Sequence, residues 1–321
     1  MKVHWMRYLV GDAGHLQRLY LAVKTASEHQ VDDLQTLCEI YLKRYRQLTT
    51  EGQGKRGLRD SRWRSAEPHF SFARELDLLE LRERTTWRIT FGAGRAFLNL
   101  WSDLTPPAAL LLHQLLSYDR TFLIPFLITL VEADYDFATA KFVGLEKHVK
   151  DVWREMWELH GRELQAKEPR LPKPSEVKPR TMLHHAMARI RFLNKMDGLR
   201  LNMDKLNRLT QLFQGFEDSD EMPSDSFFRL GSAVFGRSPL EMNSSELTER
   251  VLQAFAALQR AGHASAYGIY CFVNERALPE KAVDWQTFAG HVRREYPFST
   301  RTSFRHDDFL ITVERIAKTA R

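Results

Sequence analysis

One sequence pattern occurs twice in this chain, at a spacing of 120 residues. Residues 72–90 read FARELDLLELRERTTWRIT, and residues 192–210 read FLNKMDGLRLNMDKLNRLT. Aligned without a gap, the two segments share residues at these matching positions: Phe72/Phe192, Asp77/Asp197, Leu79/Leu199, Leu81/Leu201, Arg88/Arg208 and Thr90/Thr210. A repeat constrains the fold more than any single motif, because both copies are expected to form the same unit.

Each copy is predicted to form the end of a helix followed by a two-stranded hairpin. In the first copy, apolar and polar residues alternate from Leu79 to Ile89, around a turn near Arg84. A helix over residues 68–76 precedes this hairpin, and a helix over residues 95–101 follows it. The second copy is expected to repeat this order of elements.

Helical periodicity predicts further helices along the chain. They cover residues 15–28, 32–45, 105–117, 121–133, 136–149, 150–165, 180–195, 244–262 and 285–295, with Ser244 or Ser245 and Asp284 as the N-caps of the last two. Residues 302–305 and 309–313 then favour a last hairpin, so a divergent third unit follows the two copies.

Three polar segments interrupt these helices. A Gly-rich basic loop covers residues 49–64, a Pro-rich basic arm covers residues 167–180, and an acidic stretch over residues 217–226 is the best candidate linker. We therefore predict a mainly α-helical protein with small β-wings. Its expected parts are a winged-helix-like domain over residues 1–104, a second over 105–216, the acidic linker over 217–226 and a C-terminal helical and hairpin module over 227–321.

The charge balance favours an anionic partner. The chain has 47 Lys and Arg against 41 Asp and Glu, and its sequence pI is about 9.3. A basic surplus of this kind is typical of proteins that bind nucleic acid, although solvated Lys and Arg on an ordinary surface give the same balance.

Other features indicate a cytoplasmic protein, nucleoid-associated if prokaryotic, without a membrane partner. Cys38 and Cys271 lie far apart in apolar runs, which is typical of buried thiols in a reducing compartment. The N-terminal sequence lacks the apolar core of a signal peptide. The most apolar segment, residues 108–131, is interrupted by polar residues 117–120 and by Pro125, which predicts two packed helices rather than a membrane span.

A helix ending in Leu-x-Leu, a two-stranded hairpin and a threonine that opens another helix resemble the winged helix-turn-helix superfamily. The matching residues are 73–98 in the first copy and 193–216 in the second, with residues 180–195 as the second recognition helix. The resemblance implies tandem three-helix units with a β-wing, which usually place one helix in the DNA major groove. The superfamily also supplies protein-interaction modules, so the resemblance alone does not fix a function.

The helix predicted over residues 180–195 has an apolar face, which can pack on the core, and a polar face, which can contact DNA bases. Its apolar arc consists of Met182, Leu183, Ala186, Met187, Ile190 and Leu193. The opposite side carries Thr181, His184, Ala188, Arg191 and Lys195. Arg191 and Thr181 are expected to read base edges, and Lys195 to contact phosphate. With the wing over residues 200–208, the predicted DNA contacts of this copy are Arg180, Thr181, His184, Arg191, Lys195, Arg200, Lys205 and Arg208.

The first copy offers a weaker surface for an anion. Its outward positions are Ser61, Arg64, Pro68, Ser71 and Glu75. Its basic loop supplies the remaining predicted contacts: Lys55, Arg56, Arg59, Arg62, Trp63 and Arg64. Trp63 is expected either to stack on a base or enter a minor groove, or to fold back on the domain. Phe304 in the last hairpin has the same two interpretations, with a core position favoured.

Motifs for catalysis are weak in this sequence. Glu176-Val177-Lys178 has the spacing of a half-motif of metal-dependent nucleases, but prolines flank it and no strand precedes it. Adjacent helical residues such as His184 and His185 point about 100° apart, which does not suit a metal pair. Gly92 and Gly94 do not complete a phosphate-binding loop. We predict no catalytic residues, no metal site and no cofactor.

These observations favour non-catalytic binding of double-stranded DNA by tandem winged-helix units. The expected partners are duplex DNA and further protein subunits, with this chain as the DNA-recognition subunit of a prokaryotic-type restriction, defence or mobile-element complex. That last step rests on analogy. A protein-interaction scaffold is the alternative, and a metal-dependent nuclease is the third interpretation.

Overall fold

The computed structural model describes residues 6, 16–29, 31–51, 63–83, 85–101, 106–133, 135, 145–167, 173–176, 178–196, 201–213, 224–235, 240–277, 281–300 and 308–312. Within them the protein is mainly α-helical, with short strands in three small sheets. The predicted class, mainly α with small β elements, is confirmed. The tandem winged-helix arrangement remains a prediction for the first copy, and the second copy departs from it.

The described residues of the N-terminal part form four α-helices and one hairpin. Its elements are α1 (Leu16–Glu28), α2 (Leu34–Glu51), a 3-10 turn (Trp63–Ser65), α3 (Glu67–Glu75), β1 (Leu79–Arg82), β2 (Thr86–Ile89) and α4 (Ala93–Leu100). The predicted hairpin is confirmed, with Leu79 opposite Ile89 and Leu81 opposite Trp87. Asp77 and Glu83 have positive φ angles of 54° and 51°, so the chain turns sharply at the end of α3 and again between the strands.

Thr90 connects the hairpin to α4, as the sequence predicts. Its hydroxyl donates to the Asp77 carbonyl oxygen at 2.6 Å and accepts from the Gly94 amide at 2.8 Å. A Cβ atom on Gly94 would lie 2.2 Å from the Leu78 carbonyl oxygen. Only glycine therefore fits where α4 begins against the hairpin.

Helix α5 (Ala108–Glu132) corrects the prediction of two helices in its region. The helix continues through the polar residues because Ser117 donates to the His113 carbonyl oxygen at 2.7 Å and the side chain of Asp119 is paired internally. Pro125 lies inside the helix and removes one backbone hydrogen bond without ending it. No helix in the described part of the chain is long and apolar enough to cross a membrane.

The N-terminus of α5 is capped by a residue distant in sequence. The carboxylate oxygens of Glu275 accept from the amides of Ala109 at 3.0 Å and Leu110 at 2.8 Å. Glu275 retains partial exposure as a residue, but burial of its carboxyl group raises its pKa to about 7. The first turn of α5 is thus tied directly to the helix that carries Glu275.

The helices that follow are α6 (Leu145–Lys167), α7 (Pro179–Asn194), α8 (Met203–Phe213) and α9 (Asp225–Phe235). Residues 150–165 are helical as predicted. A separate helix was expected over residues 136–149. Only its last turn, from Leu145, lies within the described residues, and this turn is part of α6. The acidic stretch overlaps α9 at its end, where Ser224 and Ser226 are buried.

The second copy of the repeat does not form the predicted hairpin, because its second strand is replaced by α8. Asn202 begins this helix by accepting the Lys205 amide at 2.9 Å with its side-chain oxygen. Residues 203–210 are rich in Met, Leu, Lys and Arg, which favour a helix, whereas residues 85–90 of the first copy are rich in Thr, Trp and Ile, which favour strands. The predicted wing is therefore wrong for Lys205 and Arg208, which lie in α8.

The C-terminal part consists of three helices and five short strands within the described residues. They are β3 (Leu240–Glu241), α10 (Ser244–Leu258), β4 (His263–Ser265), α11 (Ala266–Ala277), β5 (Lys281–Ala282), α12 (Trp285–Glu295), β6 (Phe298–Ser299) and β7 (Leu310–Thr312). Asn243, rather than Ser244 or Ser245, is the N-cap of α10, while Asp284 caps α12 as predicted. Strand β7 pairs with β4 and β6; its predicted partner, residues 302–305, including Phe304, lies outside the described residues.

These parts pack on one another. Helix α5 contacts α6, α7, α8, α9 and α11, and α4 packs on α11. Arg95 on α4 donates to the carbonyl oxygens of Leu258 at 2.9 Å and Gln259 at 3.1 Å, where α10 ends. Elements on both sides of the predicted borders at residues 104 and 217–226 are therefore in contact, and the division into domains stays a prediction.

Candidate nucleic-acid interface

Helix α7 has a buried apolar arc and an exposed polar face. Pro179 begins it directly after Lys178, at a position where a missing amide proton costs nothing. Of the predicted arc, Leu183 is partly exposed and the other members are buried: Met182, Ala186, Met187, Ile190 and Leu193. Helix α7 packs along α6 and also contacts α5.

The exposed face of α7 carries His184, Arg191 and Lys195, the last at its C-cap. Lys195 lies eleven residues after His184, which is about 16 Å along a helix. Arg180 and Thr181 lie in the first turn. Ala188 was predicted to face outward and is instead buried, because α7 is covered over more than its apolar arc.

The charge on α7 has one sign. Residues 179–194 include no Asp or Glu, and Lys178 just before them is exposed. The neighbouring helix α6 exposes both signs, and its Arg154 pairs with Asp151 at 2.8 Å. An exposed face of mixed charge is an ordinary solvated surface, whereas an acid-free cationic face favours an anionic partner.

Helix α8 adds two cations next to the end of α7. The Leu201 amide donates to the side-chain oxygen of Asn194 at 3.1 Å, which joins the two helices. Arg208 is exposed and Lys205 is partly exposed, although Asp204 is exposed in the same helix. Partial burial, and then the charge of Arg208, lower the pKa of Lys205. Arg200 lies outside the described residues.

Arg189 lies on α7 but belongs to the core, so it is not a cation that a ligand can reach. Its guanidinium donates to both carboxylate oxygens of Asp119, at 2.5 and 2.7 Å, and to the Met6 carbonyl oxygen at 3.0 Å. Asp119 also accepts the Met6 amide at 2.8 Å. Because the Arg189 and Asp119 side chains are both inaccessible to solvent, this bidentate ion pair fixes α7 to α5.

The two adjacent histidines of α7 differ in environment. His184 is exposed, whereas His185 is partly buried. Burial, followed by the charges of Arg189 and His184, lowers the pKa of His185 to about 4. His185 is therefore neutral near pH 7, and of the two only His184 is placed to meet a ligand.

Most of the basic loop of the first copy lies outside the described residues. Lys55, Arg56, Arg59 and Arg62 lie outside the described residues. Trp63 is partly buried and packs against the core, which supports the interpretation that it folds back on the domain. The Arg64 guanidinium lies 5.6 Å from the centre of the Trp63 ring and is exposed.

A side-chain set that the sequence analysis did not find joins α5, α9 and α11. His113 Nε2 lies 2.7 Å from the Ser226 hydroxyl oxygen, and His113 Nδ1 lies 2.8 Å from the Tyr267 hydroxyl oxygen. The geometry resembles that of a nucleophile with its base. All three side chains are buried, however, so a substrate has no access and the set acts as a polar junction in the core.

The described residues contain no group of three or more His, Cys, Asp or Glu side chains that could hold a metal ion. Glu176 is exposed, and its carboxylate accepts the Lys173 amide at 3.0 Å, which is a local turn contact. Lys178 is exposed, and Val177 lies outside the described residues.

Comparisons of this chain with protein-family models, curated proteins and solved structures find no match. The interpretation of the α7 surface therefore depends on its own geometry and charge.

Proposed function

We propose that this chain binds double-stranded DNA without catalysis, and that the exposed face of α7 makes the principal contact. His184, Arg191 and Lys195 would meet base edges and phosphates, and Lys205 and Arg208 on α8 would reach the adjoining backbone. The role of recognition subunit in a larger complex is part of the same proposal.

The observation that carries this proposal is the asymmetry of α7. One side of the helix is buried, and the described part of the other side presents cations and a histidine without any acid. An α-helix fits the major groove of B-DNA, which is about 12 Å wide. A face about 16 Å long spans several phosphates of one DNA strand, whereas a single small anion would cover only part of it.

The test compares two variants that lose the same charge. Arg191→Ala/Lys195→Ala removes two exposed cations from α7, and Arg154→Ala/Arg162→Ala removes two exposed cations from α6. Binding to a fluorescent duplex of random sequence is measured by anisotropy. We expect the α7 variant to bind about tenfold more weakly or worse, and the α6 variant to change by less than about twofold.

Three outcomes would overturn parts of this proposal. Equal losses in the two variants would mean that net charge alone attracts DNA. Unchanged binding in the α7 variant would place the contact elsewhere on the chain. A wild-type chain without salt-dependent duplex affinity would favour the protein-interaction scaffold over DNA binding.

A further inference from the structure

A groove between α5 and α6 has the size and lining of a small-molecule site. Its volume is about 410 Å³, and sites for small organic ligands generally measure about 300–1,000 Å³. Apolar side chains of both helices line it: Ile124, Pro125, Ile128, Val152, Met156 and Leu159. The groove shares no lining residue with the exposed face of α7, and it offers a place for the apolar part of a ligand.

Leu159 leaves apolar surface in water beside this groove. Its side chain is 72% exposed, whereas Met156, three residues earlier on α6, is 3% exposed. A single exposed leucine is ordinary on a protein surface. A ligand with its apolar part in the groove would also cover Leu159 and so remove more apolar surface from water.

The charges that a ligand can reach in the groove are negative. Glu132 on α5 and Glu155 on α6 both line it and are both exposed. Within the described residues, neither carboxylate has an ion pair or a side-chain hydrogen bond. Arg120 lines the groove too, but it is 6% exposed, so its charge is held in the core. His160, the other ionisable residue of the lining, is partly buried.

The surroundings of the two carboxylates favour a positive ligand group as well. Glu132 is the last residue of α5, and the C-terminus of a helix carries a partial negative charge. Arg154 precedes Glu155 on α6 but does not line the groove, and it pairs with Asp151 at 2.8 Å and Glu158 at 4.0 Å. Among the described lining residues there is thus no exposed Lys or Arg to neutralise the carboxylates.

We propose that this groove binds a small organic cation with an apolar body, of the alkylammonium class. The apolar body lies along Ile128 and Met156, and the cationic group lies near Glu132 and Glu155. This preference is local, because the whole chain has a net charge of +6 and would by itself attract an anion. The proposal does not depend on DNA binding.

The test is calorimetric titration of the full chain with three probes. Octyltrimethylammonium and octanesulfonate have the same alkyl chain and opposite charges. We expect the cation to bind about tenfold more tightly or better, because two exposed carboxylates attract it and repel the sulfonate. Tetramethylammonium lacks the alkyl chain and should bind at least about tenfold more weakly than octyltrimethylammonium.

A charge variant tests the two carboxylates. Glu132→Gln/Glu155→Gln removes both charges and keeps the size of the side chains. We expect it to weaken octyltrimethylammonium binding about tenfold and not to weaken octanesulfonate binding. Glu146→Gln/Glu163→Gln is the matched control, because it makes the same charge change at two exposed positions of α6 outside the groove. The control should change binding by less than about twofold.

A blocking variant tests the position of the apolar body. Ile128 is partly exposed in the groove, and the larger ring of Ile128→Trp would fill the space that the alkyl chain needs. We expect octyltrimethylammonium to bind about tenfold more weakly or worse. Circular dichroism of the variant separates loss of binding from loss of fold.

Four results would overturn the proposal. A wild-type chain that does not bind octyltrimethylammonium has no such site. Octanesulfonate binding as tightly as the cation would mean that the groove does not select a positive charge. Equal losses in the two glutamine variants would mean that overall charge alone attracts the cation. Unchanged binding in a folded Ile128→Trp variant would place the ligand elsewhere on the chain.

Discussion

The two copies of the repeat share a sequence pattern and differ in structure. Residues 72–90 form the end of α3 and a hairpin, whereas residues 203–210 of the other copy lie in α8. The rings of Phe72 and Phe192, which occupy matching positions, contact each other edge to face with centroids 5.4 Å apart. Two segments with the same pattern therefore pack together without having the same secondary structure.

Different residues of the repeat determine its packing and its secondary structure. Those shared apolar residues that the structure describes are buried or packed against the core, so they determine packing. The residues between them determine whether the chain forms strands or a helix. The surface differs as well: Arg191 and Lys195 of α7 correspond to Ser71 and Glu75 of α3.

The largest expected effect concerns the buried ion pair of Arg189 with Asp119 in the second copy. Arg189 corresponds to His69 in the first copy. Asp119→Ala would leave the Arg189 guanidinium buried and uncompensated, and we expect a loss of about 3–5 kcal/mol in the free energy of unfolding. Urea unfolding followed by circular dichroism measures it.

The control for this variant is an exposed ion pair. Asp151→Ala breaks the contact with Arg154 and should cost at most about 1 kcal/mol. Similar small losses in both variants would contradict the burial of Arg189 with Asp119.

The next effect is a pH dependence that belongs to the second copy alone. His185 has a pKa of about 4 in the folded state, below its ordinary value of 6.5, while its counterpart is Ser65. Between these values the unfolded chain binds a proton that the folded chain does not. This residue therefore lowers the free energy of unfolding as the pH falls from 6.5 to 4, by up to about 3 kcal/mol.

Urea unfolding at several pH values in this range, for the wild type and His185→Gln, measures this contribution. We expect the variant to lose less stability on acidification than the wild type does. Parallel pH profiles would show that His185 is solvated in the folded protein.

Gly94→Ala is expected to damage the first copy. The new Cβ atom would lie 2.2 Å from a backbone oxygen, which cannot rotate away as a side chain can. We expect a loss of about 2 kcal/mol or more in the free energy of unfolding. Gly290→Ala is the matched control, because no atom lies within 4 Å of the new Cβ in α12, and it should be neutral or slightly stabilising.

The smallest effect compares the threonines at the ends of the two copies. Thr90→Ala removes a hydroxyl that bonds both the Asp77 carbonyl and the Gly94 amide, and should cost about 1–2 kcal/mol. Thr210 only donates to the Asn207 carbonyl within α8, so Thr210→Ala should cost less than about 0.5 kcal/mol. Thermal unfolding measures both variants. Equal losses in the free energy of unfolding would mean that the shared threonine has the same role in both copies.

The sequence predicts the local elements of the first copy well. Alternation identifies β1 and β2, helical spacing identifies α1 to α4, and Thr90 is placed correctly before α4. The apolar arc of α7 is also visible in the sequence, because helical periodicity depends on residues that are close along the chain. His184, Arg191 and Lys195 are exposed for the same reason.

Two features that the sequence does not predict depend on contacts between distant residues. The prediction of two helices in place of α5 treats the charged residue Asp119 as part of a helix boundary. In the structure the charge of Asp119 is compensated by Arg189, which is 70 residues away in sequence. The junction of His113, Ser226 and Tyr267 is invisible in the sequence for the same reason. The prediction of a second hairpin is wrong for a local reason. It gives more weight to the match between the two copies than to the composition of residues 203–210, which favours a helix.

The salt dependence of duplex binding tests most directly whether α7 makes the DNA contact. The logarithm of the association constant is plotted against the logarithm of the salt concentration for the wild type and for Arg191→Ala/Lys195→Ala. Each lost phosphate contact lowers the steepness of this line by about 0.9, so we predict a line shallower by about two in the variant if both residues meet phosphate, and by about one if Arg191 meets a base. Lines of equal slope would show that these residues do not contact phosphate, and would contradict the proposed role of α7.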